Sequence, residues 1–135
     1  MLQRVRWIVC DLDIGMLPLV LAINNIGWGA ILLLPSTRFN AVQHGMRSLA
    51  PELVWGIVTV ALGLLHLGAA VHGVNTVLYR ATSLALAALW VYVTVTILVA
   101  SGGTALGPPA YAVFAVGHAA IFLRLLRQPL GSGVL

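Results

Sequence analysis

A chain of 135 residues with 61% hydrophobic and 7% charged residues cannot cover a water-facing surface, because soluble domains carry about 25% charged residues. Its mean hydropathy of +1.04 points to a bilayer as the missing apolar solvent. The formal net charge of +4 does not mark nucleic-acid binding, since the seven basic residues, all arginine, stand singly at the ends of apolar runs instead of on one clustered face.

The first fourteen residues carry Arg4 and Arg6, then the apolar stretch Trp7–Cys10, broken by Asp11 and Asp13. A secretory signal needs a longer apolar core and a small-residue cleavage site. This segment is expected instead to lie along the membrane surface, with Trp7 as an interfacial anchor. Cys10 is the one cysteine, so no disulfide can form within the chain and no Cys/His metal spacing exists.

Four apolar runs follow, at about 17–35, 53–73, 77–100 and 109–127. Each approaches the ~20 residues that a helix needs to cross ~30 Å of hydrocarbon. A spanning segment must satisfy its own backbone, which selects helix over open strand. The expected fold is therefore all-α: one transmembrane domain over residues 1–135, built as an integral membrane four-helix bundle. Proline marks the span starts at Pro18, Pro51 and Pro108–Pro109, where a missing N–H is harmless. Pro35 ends the first span, and Gly73 and Asn75 turn the second into the third. That turn is short, so spans two and three are expected to be antiparallel neighbours. The stretch from Ser101 to Leu106 is small, uncharged and turn-like.

Between spans one and two, Phe39, Val42, Met46 and Leu49 recur at intervals of three and four, with Arg38, Asn40, Gln43 and Arg47 among them. The pattern predicts a short amphipathic helix on the outer surface, lying on the leaflet. Orientation follows from arginine. Arg4, Arg6, Arg80, Arg124 and Arg127 fall on the side of the termini, and Arg38 and Arg47 on the other. The positive-inside rule then places both termini in the cytoplasm.

Span two holds the clearest pattern. Glu52, Gly56, Thr59, Gly63, His66, Ala70 and Gly73 alternate at four and three residues, so all seven share one helix face. Every one is small or polar, which suits close approach of another helix and hydrogen bonds across the contact. Span three repeats this more weakly with Arg80, Ser83, Ala87, Trp90 and Thr94. Span four offers Ala112, Ala115 and Ala119, with Tyr111, His118 and Phe122 close by, and span one Asn24, Asn25, Gly27 and Gly29.

Intramembrane polar residues are costly and mark candidate sites. Asn24 and Asn25 are adjacent, hence about 100° apart on a helix, and one at most can point squarely at the centre. His66 and His118 could together ligate haem. Counting helix rise from the span starts separates their depths by about 6 Å, a poor alignment for a shared haem. His72 is expected at the cytoplasmic interface and His44 in the outer loop. No carboxylate lies deep in a span, as proton-coupled exporters generally require. CxxC, HExxH and GxSxG are all absent from the sequence. No catalytic residues, metal ligands or cofactor are expected, and the chain is expected not to be an enzyme.

The segment PELVWG (Pro51–Gly56), the preceding loop with Phe39 and Met46, Arg80 entering span three, and YAVFAVGHAAIFLRLLR (Tyr111–Arg127) together resemble a diffuse group of small four-span membrane proteins. These are encoded by tailed bacteriophages and prophages and mostly carry no assigned function. The resemblance covers residues 17 to 127 and brings no catalytic residues. It implies a protein of the bacterial inner membrane, or one associated with the virion. The expected function is then helix association with itself or with an envelope partner, in a holin-like, exclusion or structural role. The expected partners are the lipid bilayer and a second copy or another membrane protein. A small channel or transporter lined by Asn24, Asn25, Thr59 and His66 is the alternative, and a haem protein using His66 and His118 the second.

Overall fold

The computed structural model describes residues 16–35, 44–72, 76–103 and 108–127. Five helices occur there: α1 (Met16–Leu32), α2 (His44–Leu49), α3 (Glu52–His72), α4 (Thr76–Ala100) and α5 (Pro108–Leu126). No strand is present among the described residues. The surface segment with Trp7, the loop residues Phe39 and Val42, and Gly73 and Asn75 of the turn lie outside them, as does the stretch from Thr104 to Leu106.

The helix ends follow the local chemistry. Pro108 and Pro109 open α5, where fixed φ and a missing N–H suit a first turn. The Pro51 carbonyl accepts from the backbone N–H of Val54 and Trp55 at 3.0 and 3.3 Å, starting α3. At the end of α4 the chain turns into positive φ at Gly102 and Gly103 (59° and 83°). Gly103 N–H reaches the Leu98 carbonyl at 3.1 Å and Gly102 N–H reaches Val99 at 3.3 Å. This paired closure is a Schellman motif, and it needs glycine at the left-handed position.

Three helices, α3, α4 and α5, are long and apolar enough to cross a membrane. The first apolar run forms a helix of 17 residues, about 26 Å at 1.5 Å per residue. It ends at Leu32, before the Leu33 and Leu34 that the sequence pattern included. The outward faces are apolar throughout: Val20 and Ile23 on α1, Ile57 and Leu64 on α3, Leu84 and Val91 on α4, Val113 and Val116 on α5 are all exposed. Such continuous apolar surface suits lipid and is a liability in water.

The four long helices pack in a ring, α1 on α3, α3 on α4, α4 on α5 and α5 on α1. The α1–α3 contact is made by glycine. A Cβ built on Gly29 would lie 2.9 Å from both the Gly56 carbonyl oxygen and the Val60 nitrogen. One on Gly63 would lie 2.9 Å from Ile26 Cγ1 and 3.2 Å from the Ile26 nitrogen. Backbone meets backbone here, as small residues at an intramembrane crossing allow. The residue numbers fall on α1 as they rise on α3, so the pair is antiparallel.

The core has three layers. At one end Leu32, Met46, Trp90, Val93, Ile97 and Ala115 cluster; at the other, Leu21, Ala69, Tyr79, Ile121 and Leu125. Between them lie the buried polar residues Asn25, His66, Ser83 and His118, each fully inaccessible. The short helix α2 caps the first end. Its Met46 is fully buried in that cluster. Its carbonyls at Gly45 and Met46 accept from Tyr92 Oη (3.1 Å) and Trp55 Nε1 (3.0 Å), and the Trp55 and Tyr92 rings stack at 5.6 Å. The described part of the loop helix is therefore six residues long and docks on the other helices. The lone amphipathic pattern could not reveal this, because a Met that faces lipid and a Met that faces protein read alike. At the opposite end, Arg80 donates from Nε (3.0 Å) and Nη2 (2.6 Å) to the Leu125 carbonyl. That carbonyl lies in the last turn of α5, where cations are favoured.

Candidate functional site: a buried polar chain

The middle layer links all four long helices through two runs of hydrogen bonds that meet at the touching rings of His118 and His66. Trp90 Nε1 on α4 donates to Asn25 Oδ1 on α1 at 2.7 Å. Asn25 Nδ2 donates to the Leu21 carbonyl at 2.6 Å and pairs with His118 Nε2 on α5 at 2.9 Å. His66 Nδ1 on α3 lies 3.3 Å from Thr82 Oγ1 on α4. Thr82 Oγ1 in turn reaches the carbonyls of Leu78 (3.0 Å) and Tyr79 (3.2 Å). The His66 and His118 rings meet edge to face, centroids 5.0 Å apart.

The proton positions follow from which groups can donate. An indole N–H is a donor only, so Trp90 must face the amide oxygen of Asn25. The amide nitrogen is then the atom that meets Leu21 and His118. Since that nitrogen donates, His118 Nε2 must accept, and the single ring proton of His118 sits on Nδ1. The Thr82 hydroxyl has the Leu78 and Tyr79 carbonyls and His66 Nδ1 all within reach, a contact that suits either tautomer of His66. The first run starts at a donor-only indole, so its bonds point one way, from Trp90 through Asn25 to His118.

Of the sequence candidates, Asn25, His66 and His118 are brought together and fully buried. Asn24 is not part of the chain; its side chain is half-buried. Thr59 is fully buried, yet its hydroxyl bonds the Trp55 carbonyl of its own helix at 2.7 Å. Thr94 and Ser83 do likewise, to Trp90 and Tyr79. This back-bonding satisfies a hydroxyl in apolar surroundings without a partner helix, so these residues do not cross-link helices as the polar stripe suggested. Within the stripe, Gly56, Thr59, Gly63 and His66 are buried. Glu52 and Ala70 are half-buried, with Ala69 buried in place of Ala70. Gly73 lies outside the described residues. The face turns below His66 because Ala69 joins Leu21, Tyr79 and Ile121 rather than α1 alone.

The one-turn depth offset expected between His66 and His118 does not keep the rings apart. Counting rise from each helix start treats the starts as level and the axes as parallel, and the ring contact shows that this does not hold. Sequence reasoning also missed Thr82 and the indole of Trp90. The available signal was that a buried Trp needs an acceptor, and Asn25 was already a candidate.

A haem held between the two histidines does not fit this arrangement. Iron–nitrogen bonds of about 2 Å on opposite faces of the haem would hold the two ring centroids about 6 Å apart, and they stand at 5.0 Å, edge to face. His118 Nε2 is already engaged by Asn25, and its other nitrogen carries the proton. Among the described residues no group of three or more His, Cys, Asp or Glu side chains converges on a metal position. Comparison of the chain with protein-family models, curated proteins and solved structures finds no match.

Proposed function

We propose that the chain is a non-enzymatic polytopic membrane protein, a four-span bundle in the bacterial inner membrane with both termini in the cytoplasm. It acts by associating with a second copy or an envelope partner, in a structural, exclusion or holin-like role of the kind the phage-type resemblance implies. In this reading α1 is the fourth span, its short length matched by local thinning or by flanking residues. Helix α2 and the loop before it face outward. Arg80, Arg124 and Arg127 sit at the cytoplasmic end.

The observation that supports it is the closed polar layer. A conduit for ions or protons requires polar groups that open to water at both ends. Asn25, Thr59 and His66, the residues of the channel alternative, are fully inaccessible. Trp90 cannot pass a proton on, and the chain runs out on backbone carbonyls. The polar layer thus fixes how the helices fit, and the small face of α3 is used up inside the chain against α1. Association with another protein then has to use the outward apolar faces.

Two measurements test this together. On induced expression in a bacterium, a normal membrane potential and culture density select the structural and exclusion roles over the holin-like one. Single cysteines at the exposed positions Leu84, Val91 and Val95 of α4, and at equivalent positions on the other helices, are expected to cross-link to a copy or partner along one face. Abrupt collapse of the potential favours a channel or holin. A protein that cross-links from no outward face and co-purifies with nothing contradicts the association reading.

A further inference from the structure

Asn24 is the middle residue of α1 (Met16–Leu32), so in the four-span reading it stands near the centre of the bilayer. Its side chain is half-buried. The amide nitrogen is buried with no hydrogen-bond partner, and the amide oxygen, which makes no hydrogen bond among the described residues, stays accessible. A polar group costs most at that depth, because hydrocarbon offers it nothing to bond. The residues around it form a pattern. Leu17, Val20, Asn24, Gly27 and Ile31 follow one another at three, four, three and four residues, the spacing of a coiled-coil seam with Asn24 at its centre. Leu17, Val20, Gly27 and Ile31 are exposed, turned away from the buried Leu21, Asn25, Gly29 and Leu32. Glycine serves the two sides differently. Gly29 lies against α3, whereas a Cβ on Gly27 would meet nothing within 4 Å. A glycine in mid-helix weakens the helix, and at Gly27 no close contact within the chain requires it.

We propose that this face of α1 binds a second copy of the protein, in a parallel α1–α1 pair closed by a hydrogen bond between the two Asn24 amides. The proposal rests on the association reading above and names its partner. The amide selects that partner. Copies inserted in one membrane share an orientation, so a two-fold pair of α1 helices is parallel and in register, and each Asn24 meets its equivalent. An amide both donates and accepts, so it is complementary to itself. Half a turn about the last side-chain bond, a soft rotation for Asn, exchanges oxygen and nitrogen, and one copy then gives the proton that the other takes. A single Asn on an otherwise apolar seam fixes register and copy number in this way. Gly27, three residues on, lacks the side chain that would hold the two backbones apart.

The test uses the full chain in native membranes, with Cys10→Ser as background and disulfide cross-linking by an added oxidant. Val20→Cys is expected to give a band at twice the mass of the chain. Val91→Cys on α4 and Val113→Cys on α5, both exposed positions, are expected to give none. Asn24→Leu is expected to lower the Val20→Cys yield by about threefold or more, the measure of one hydrogen bond between helices in a membrane. Asn24→Gln, which keeps an amide, is expected to restore most of it. Gly27→Ile is expected to remove the band without lowering the thermal unfolding temperature of the chain in detergent, because its side chain starts into open space. Cross-links from Val91→Cys or Val113→Cys with none from Val20→Cys overturn the assignment of the face and leave the association reading in place. A Val20→Cys yield that Asn24→Leu does not change overturns the role of Asn24. A Val20→Cys cross-link to a different protein overturns the second copy. No cross-link from any helix, with nothing co-purified, removes the association reading itself and this proposal with it.

Discussion

At the scale of single residues, the two adjacent asparagines separate function from position. Asn25 makes contacts with Leu21, Trp90 and His118, whereas Asn24 is half-buried and outside that chain. Asn25→Leu leaves an indole N–H and a ring nitrogen unsatisfied in a dry layer. Each such group costs about 1–3 kcal/mol. The expected outcome is a loss of about 2 kcal/mol or more in detergent unfolding for Asn25→Leu, with a change under about 1 kcal/mol for Asn24→Leu. Equal losses at the two positions would sink the polar-chain account. That one of the pair faces the centre follows from the 100° step between neighbours; which one does not, because that depends on where α1 presents its glycines to α3.

At the scale of elements, helix periodicity carried most of the information. The four apolar runs gave helices within three residues of the expected ends, and the buried positions Gly56, Thr59, Gly63 and His66 on α3 follow the four–three spacing. What that spacing could not say is which helix fills the face, since a glycine stripe suits a partner from the same chain or another. The backbone approach at Gly29 settles it within the chain. Gly29→Ala pushes a methyl group against two backbone atoms of α3 that cannot rotate away, and overpacking of this kind costs about 1–3 kcal/mol. Gly68→Ala on α3 meets nothing within 4 Å and removes a flexible residue from a helix, a gain of up to about 1 kcal/mol. Thermal unfolding of the two variants is expected to move in opposite directions. A drop in both, of similar size, would mean that α1 and α3 do not cross at Gly29. Of the spacing that suggested a loop helix, only Met46 and Leu49 fall in α2, and the docking of α2 was not legible, because its anchoring bonds run from Tyr92 and Trp55 to its backbone carbonyls. Backbone acceptors leave no mark in a sequence.

At the scale of the whole molecule, composition argued against a water-facing surface, and no strand occurs among the described residues. The outward apolar faces and the inward polar layer agree with that reading. The arginines divide in the same sense: Arg80, Arg124 and Arg127 lie at the end where Arg80 meets Leu125, and Arg47 lies on α2 at the other. The ring contact between His66 and His118 was out of reach of rise counting, which carries no information on tilt. The central claim, four spans with cytoplasmic termini, is tested most directly by labelling with a membrane-impermeant maleimide. Cys10→Ser removes the native thiol, and single cysteines are then introduced by Gln43→Cys, Asn75→Cys or Gln128→Cys. The account predicts that in cells with a permeabilised outer membrane Gln43→Cys is labelled at once, and that Asn75→Cys and Gln128→Cys react after the inner membrane is opened. Labelling of Gln43→Cys and Gln128→Cys from the same side would contradict it, because α3, α4 and α5 separate the two positions; so would labelling of the native Cys10 from the side of Gln43→Cys, because α1 would then fail to cross.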